Sequence, residues 1–191
     1  MQVHRQLGYC LLLLGSAALF AAAGNAQAIR VVRRSMLMQP DTAVKSLTVS
    51  VSPASVSFSL VSHGVAAASG AIEITTAWAA TTCSSTCTVN LYAYFTSSTA
   101  ALSASTGGDI PSSAVLGQVP TGSPTTYTAF TQTGVFGAAG ASLLLFSDVI
   151  STHTAKTSRT DALNLEINLS GQPQQPAGSY TGTLNIQAQT L

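Results

Sequence analysis

Charge is what this sequence has least of. Lys, Arg, Asp and Glu make up 7% of it, seven basic against six acidic residues, for a formal net charge of +1. Nucleic acid and anionic lipid are recognised through clustered Lys and Arg, and charges this few and this balanced build no such field. A nucleic-acid partner is therefore excluded from the reading. Long apolar runs are also missing. The only candidate, Leu11 to Ala23, covers about half to two-thirds of the length that a bilayer-spanning helix needs. Scarcity of charge does not mean disorder, because hydrophobic residues reach 46% and disordered chains combine low hydrophobicity with high net charge. At 191 residues, one globular domain is the natural expectation.

The N-terminus reads as an export signal. His4 and Arg5 give a short polar start, Tyr9 to Ala23 an apolar stretch, and Ala26-Gln27-Ala28 a small-residue cleavage signature. We expect residues 1–28 to be removed and the mature chain to start at Ile29, with no membrane span. A lipid anchor would need a Cys directly after the apolar run, whereas Cys10 sits at its front edge. Arg33-Arg34 follows that run and so does not fit twin-arginine export. The expected location is extracytoplasmic: secreted, periplasmic or at the cell surface. Once Arg5 leaves with the signal, six basic residues face six acidic ones.

A surface so poor in charge must be covered by uncharged polar groups, and Ser and Thr indeed supply roughly a quarter of the chain, well above ordinary usage. Hydroxyl-bearing, partly β-branched surfaces suit exposed strand faces. Periodicity agrees. Leu47, Val49 and Val51 alternate with Thr48, Ser50 and Ser52, and after Pro53 the pattern resumes at Val56, Phe58 and Leu60. Ala71 to Ala80, with Ile72, Ile74 and Trp78, reads as a strand, and so does Thr88 to Thr96, with Val89, Leu91, Ala93 and Phe95 on one face and Tyr92 and Tyr94 on the other. These two are expected to form a hairpin. Residues 97–140 are rich in Gly, Ser, Thr and Pro, with short strands expected at Ala114 to Val119 and Thr126 to Thr133.

The C-terminal third is clearer. Ser142 to Ile150 is apolar on both faces, as a central strand would be, and Leu163, Leu165, Ile167 and Leu169 alternate with Asn164, Glu166 and Asn168. After a turn at Gly171 to Gly178, Tyr180, Gly182, Leu184, Ile186 and Ala188 fall on one face, with Thr181, Thr183, Asn185 and Gln187 on the other. About eight strands with almost no helix predict an all-β, two-sheet antiparallel sandwich; a closed barrel is the second solution. The domain is placed at 47–191, preceded by a leader at 29–46.

The segment Pro176-Ala177-Gly178-Ser179-Tyr180-Thr181-Gly182-Thr183-Leu184-Asn185-Ile186-Gln187-Ala188 resembles the last hairpin of bacterial secreted domains of the spore-coat-U and fimbrial-subunit kind, whose last strand often follows a P-A-G-x-Y-x-G pattern. The quoted segment covers about a twelfth of the mature chain. It implies an immunoglobulin-like sandwich assembled into, or attached to, a cell-surface structure. Usher-assembled subunits commonly carry an aromatic next to the last residue, where this chain has Thr190.

Cys10 leaves with the signal, so Cys83 and Cys87 remain, an even pair with spacing C-x-x-x-C in an oxidising compartment. A disulfide is expected. Closing so short a loop stabilises by about 2 kcal/mol in the chain-entropy description. A redox-active pair favours C-x-x-C, and a zinc site needs two more ligands nearby.

No catalytic residues are assigned. Asp148, Ser151 and His153 are the single base-like cluster, no G-x-S-x-G turn flanks Ser151, and His63 and His153 read as solvated loop residues. Asp161 and Glu166 lie on opposite faces of one strand and about 16 Å apart, which is not a glycosidase pair. Asp148 and Asp161 are expected to be solvated rather than to bind calcium, since no D-x-D-x-D-G loop is present. No metal and no cofactor is expected. Two features point to binding. Tyr92 and Tyr94 could form an outward aromatic face that stacks on sugar rings, which would make the protein a carbohydrate-binding module with glycan partners. The leader Ile29 to Met38 is either a strand that pairs with another copy or another surface subunit, or a frayed terminus. The expected function is a non-catalytic structural or adhesive surface protein, a fibre or coat subunit, with the carbohydrate-binding module as the alternative and an enzyme as the third and weakest reading.

Overall fold

The computed structural model describes residues 27–36, 44–80, 87–150 and 156–191. The long strands are β1 (Gln27–Met36), β2 (Val44–Ser52), β5 (Ile72–Ala80), β6 (Cys87–Tyr94), β11 (Ser142–Ile150), β12 (Lys156–Asn168) and β13 (Tyr180–Thr190). Between them run the shorter β3 (Ser55–Phe58), β4 (Val65–Ala67), β7 (Leu102–Ala104), β8 (Asp109–Ile110), β9 (Val115–Gln118) and β10 (Thr128–Ala129). The only helical turn among the described residues is a 3-10 turn at Ser112–Ala114. No helix among them is long and apolar enough to cross a membrane.

Two sheets are packed face to face. One has the order β11-β6-β13-β1-β3, with β7 added to β13 and β8 to β7; the other runs β10-β9-β12-β5-β2, with β4 added to β12. This is the two-sheet sandwich that strict alternation demands, since each sheet has one apolar face and must bury it against another. Leu47 and Val49 of β2, Ile72, Ile74 and Trp78 of β5, and Leu163, Leu165 and Ile167 of β12 come from one sheet. Val89 and Leu91 of β6 and Leu184 and Ile186 of β13 come from the other, and all belong to a single buried cluster.

The expected hairpin of β5 and β6 does not form. β5 pairs with β2 and β12, whereas β6 pairs with β11 and β13 in the opposite sheet. β12 and β13, consecutive at the C-terminus, likewise lie in different sheets. Alternation requires each strand to have a core face, and two strands joined by a short turn meet that requirement equally well side by side or across the core. Thirteen strands are found among the described residues where about eight were expected, because β1 falls in what was read as signal and leader, and β4, β7 and β8, at two or three residues each, are too short to show a period.

The start of β13 is built as a tight corner. Tyr180 is buried, and its hydroxyl donates to the Pro176 carbonyl at 2.8 Å, four residues upstream. Burial of the ring and the nearby Asp109 push its pKa above the ordinary tyrosine value. At Gly182 a Cβ would collide with the Ala101 carbonyl, so the chain leading into β7 can lie against β13 only where a side chain is missing. Both residues belong to the P-A-G-x-Y-x-G pattern.

Candidate functional site

Residues 27–36, the last two residues of the expected signal and the front of the expected leader, form an interior strand of a sheet. β1 runs parallel to β13 in an unbroken register from Ala28 opposite Thr181 to Met36 opposite Gln189. On its other side, Gln27 to Arg30 pair antiparallel with Phe58 to Ser55 of β3, and Val31 N donates to the Ala54 carbonyl at 2.9 Å. The sequence explains the placement. Ile29 and Val31 point into the core and are buried, while Arg30 lies on the outer face and is exposed. Beyond Val31 the alternation gives way to Arg33 and Arg34, both exposed.

A further anchor lies where β1 begins. Gln27 is buried and its Nε2 donates to the Gly178 carbonyl at 3.0 Å, a contact across 151 residues of sequence, although its Oε1 has no partner. Sequence reasoning missed Gln27 because it sits inside the expected cleavage signature, where it reads as processing rather than structure. Of that signature, Ala28 and Ile29 are in β1 and Ala26 lies outside the described residues.

The tyrosines expected to face outward lie on the outer face of β6, but not as an open platform. Phe136 covers them, its ring stacked on that of Tyr94 at 5.9 Å between centroids and edge-on to that of Tyr92 at 5.8 Å. Tyr94 is only 6% exposed, and its hydroxyl donates to Gln187 Oε1 at 2.9 Å. The stacking surface envisaged at Tyr92 and Tyr94 is thus corrected: an aromatic from the glycine-rich segment has already taken the sugar's place. Asn185 and Gln187 of β13, on the face opposite the core, are buried too, whereas Thr181 and Thr183 are exposed.

Of the two acids expected to be solvated, Asp161 is not, while Asp148 keeps 40% of its side chain exposed. Asp161, 1% exposed, points between the sheets and receives two 2.6 Å hydrogen bonds, from Arg159 Nε and Nη2, together with one from the Thr121 hydroxyl at 3.0 Å. Arg159 Nη1 also bonds Asp148 Oδ2 of β11 at 2.8 Å, and its guanidinium lies 4.4 Å above the Phe146 ring. The hydrogen bonds that the guanidinium donates to Asp161, against the opposing cost of burial and with help from Asp148, hold it well above its usual pKa. Since Arg159 and Asp161 belong to β12 and Asp148 to β11, this cluster ties the two sheets together. It also puts a fixed cation where calcium would have to sit. Sequence reasoning weighed the carboxylates without their base; the signal was Arg159 two residues before Asp161, on the same strand face.

Other candidates do not converge. Glu166 sits on the outer face of β12, opposite Ala67 and Leu116, away from Asp161. His63 is exposed in a turn with φ 52°. Ser151, His153 and Cys83 lie outside the described residues, while Cys87 opens β6 and is buried. Among the described residues no three His, Cys, Asp or Glu side chains come together as a metal site. A shallow trough of about 430 Å³ on the outer face of the second sheet is floored by Ala77 and Ala79 and edged by Ser46, Thr48 and Ser158.

The architecture is thus that of a two-sheet β-sandwich in which the first described strand lies beside the last. Compared with protein-family models, curated proteins and solved structures, the chain finds no match.

Proposed function

We propose that this protein is a non-catalytic structural or adhesive subunit of a secreted or cell-surface assembly, and that β1 is the element through which copies join. The observation that carries the reading is the position of β1. Without it, β13 and β3 would face each other across a gap of about two strand spacings, roughly 9.6 Å, with unpaired backbone on both walls. The core positions of Ile29 and Val31 would be empty, at a cost of roughly 1.5–3 kcal/mol each. A strand of the same sequence from a second copy replaces every one of these contacts like for like, so exchange between copies is nearly balanced in energy. The seven residues between Met36 and Val44 reach at most about 25 Å when extended, enough to set β1 into its own slot or a neighbour's.

Two more features support the family reading. The Tyr180 to Pro176 hydrogen bond has the form of the tyrosine corner of immunoglobulin-like sandwiches, placed at the start of a late strand. It falls within the pattern that resembles spore-coat-U and fimbrial-subunit domains. For the non-catalytic part, the support is that Asp148 and Asp161 are engaged by Arg159 and so hold no free acid and base pair.

The test uses the full chain. Exchange predicts multimers that survive sodium dodecyl sulfate without heating and collapse to monomer on boiling. A labelled peptide with the sequence of residues 27–38 is expected to be taken up on partial unfolding and refolding. A chain that remains monomeric, takes up no peptide and binds glycans on an array would replace this reading with the carbohydrate-binding one.

A further inference from the structure

Among the described residues, only one of the strands that end the two sheets is left open along its whole length. At β3, Ser57 N donates to Ser69 Oγ at 3.2 Å, its carbonyl accepts from Ser69 N at 2.8 Å, and Phe58 forms a bridge with Ala68. At β11 the first half is closed by Gln132 and Ser123, through Gln132 paired with Ser142, Leu144 N donating to Gln132 Oε1 at 2.8 Å, and Ser123 N donating to the Leu145 carbonyl at 2.8 Å. Its second half carries Asp148, an inward-pointing charge of the kind that guards an edge. β10, at two residues, offers no template. β2 is different. It is nine residues long, pairs only with β5, and shows no other backbone partner among the described residues.

Its sequence has the same side-chain classes read in either direction. From Ser46 to Ser52 there is neither charge nor proline, and Ser-Leu-Thr-Val-Ser-Val-Ser is close to palindromic about Val49. If two such strands pair antiparallel about a two-fold axis through Val49, Leu47 meets Val51, Val49 meets itself, and Thr48 meets Ser50. Directly opposed residues in an antiparallel pair point to the same side, so this register keeps every core-facing residue beside a core-facing residue and every hydroxyl beside a hydroxyl. A shift by one residue would turn one copy's apolar face to solvent. The segment is also bracketed by features that stop pairing, a register shift at Lys45 and Pro53 just past the last residue, and these two positions oppose each other in the same register.

We propose that β2 is a self-association edge: two copies of this chain join β2 to β2 antiparallel, centred on Val49, extending the two six-stranded sheets into one of twelve strands. The joint is isologous and closes as a dimer. It supplies roughly six to eight backbone hydrogen bonds and continues the apolar layer formed by Leu47, Val49 and Val51. A strand from an unrelated protein would gain the backbone bonds but not the matched side chains, which is why the partner is a second copy. The joint is independent of β1 exchange, because β1 and β2 belong to different sheets.

Sedimentation equilibrium of the full chain across a concentration series tests this. The unaltered chain is expected to show a monomer–dimer equilibrium, and the dimer should dissociate in sodium dodecyl sulfate, which separates it from any ladder made by β1. Thr48→Lys with Ser50→Lys places like charges opposite each other twice, at exposed positions that leave the core untouched, and should weaken the dimer by at least about tenfold. Thr48→Lys with Ser50→Glu sets opposite charges across the same joint and should restore it. Thermal melting by circular dichroism checks that both variants remain folded, and Val49→Cys should cross-link copies on mild oxidation even if the charged variants fold poorly. A chain that is monomeric throughout, a dimer equally strong in both charged variants, or no cross-link through Val49→Cys would overturn the proposal.

Discussion

β1 and β2 are consecutive strands of nearly equal length, yet the fold treats them in opposite ways. β1, with two adjacent arginines near its end and an alternation that fades after Val31, is placed between two partners in the interior of a sheet. β2, with the cleaner alternation, is left at an edge with one partner. The strength of a periodic pattern therefore reports how sharply two faces differ in environment, not how many neighbours a strand has. An interior strand needs apolar residues only over the length that covers the core, whereas an edge strand needs a polar outer face along all of it. The functional readings follow the same division, with β1 as an element that must be seated and β2 as one that can accept.

The wall of the β1 slot is the place to break this comparison most severely. Leu184→Asp in β13, opposite Val31, buries a charge in the apolar layer at a cost of several kcal/mol, a large share of the about 5–15 kcal/mol that hold such a domain together. The variant is expected to melt far below the unaltered chain or fail to accumulate. Thr183→Asp, one residue away on the exposed face, should move the midpoint little. Equal losses at the two positions would refute the register of β13.

Matched substitutions in the two strands sharpen the contrast. Ile29→Asp in β1 and Leu47→Asp in β2 both place a carboxylate at a buried position, but the edge strand can peel from one neighbour and hydrate the charge. In denaturant titrations we expect Ile29→Asp to cost several kcal/mol and Leu47→Asp clearly less. A larger loss at Leu47 would mean that β1 is the more weakly held of the two.

The sheets to which these strands belong are joined by Arg159. Arg159→Ala leaves Asp161 buried without its cation and should cost about 3 kcal/mol, the lower end for a broken buried pair because the guanidinium is partly exposed. Adding Asp161→Ala should recover part of the loss, and strictly additive effects would show that the two are not coupled. The bond expected between Cys83 and Cys87 comes next, at about 2 kcal/mol for Cys83→Ser. Thiol titration of the unreduced protein should find essentially no reactive thiol, and two would sink the assignment.

Tyr180 gives the smallest effect. Its pKa is raised in the folded chain, so the unfolded chain ionises first as pH climbs. Stability is fully present below the ordinary tyrosine value near 10 and is lost as pH rises through the folded value. Tyr180→Phe should flatten that alkaline decline while sacrificing the bond to Pro176 at all pH values. An unchanged alkaline slope would remove Tyr180 as its cause.

The amino-acid sequence by itself determined the all-β class, the core faces of β2, β5, β6, β12 and β13, and the exposed position of Thr183, because side-chain polarity in an extended chain is set every second residue by burial. It also marked Tyr180 and Gly182 as special, although not the hydrogen bond to Pro176 or the close approach of Ala101 that make them so. Only the tertiary structure decided which strands share a sheet, that β5 and β6 lie in opposite sheets, that Phe136 covers Tyr92 and Tyr94, and that Asp161 is engaged by Arg159. Each of these is a pairing between residues distant in sequence or on opposite sheets, and alternation, which depends only on a residue and its next neighbours, is identical for every partner a strand face could have.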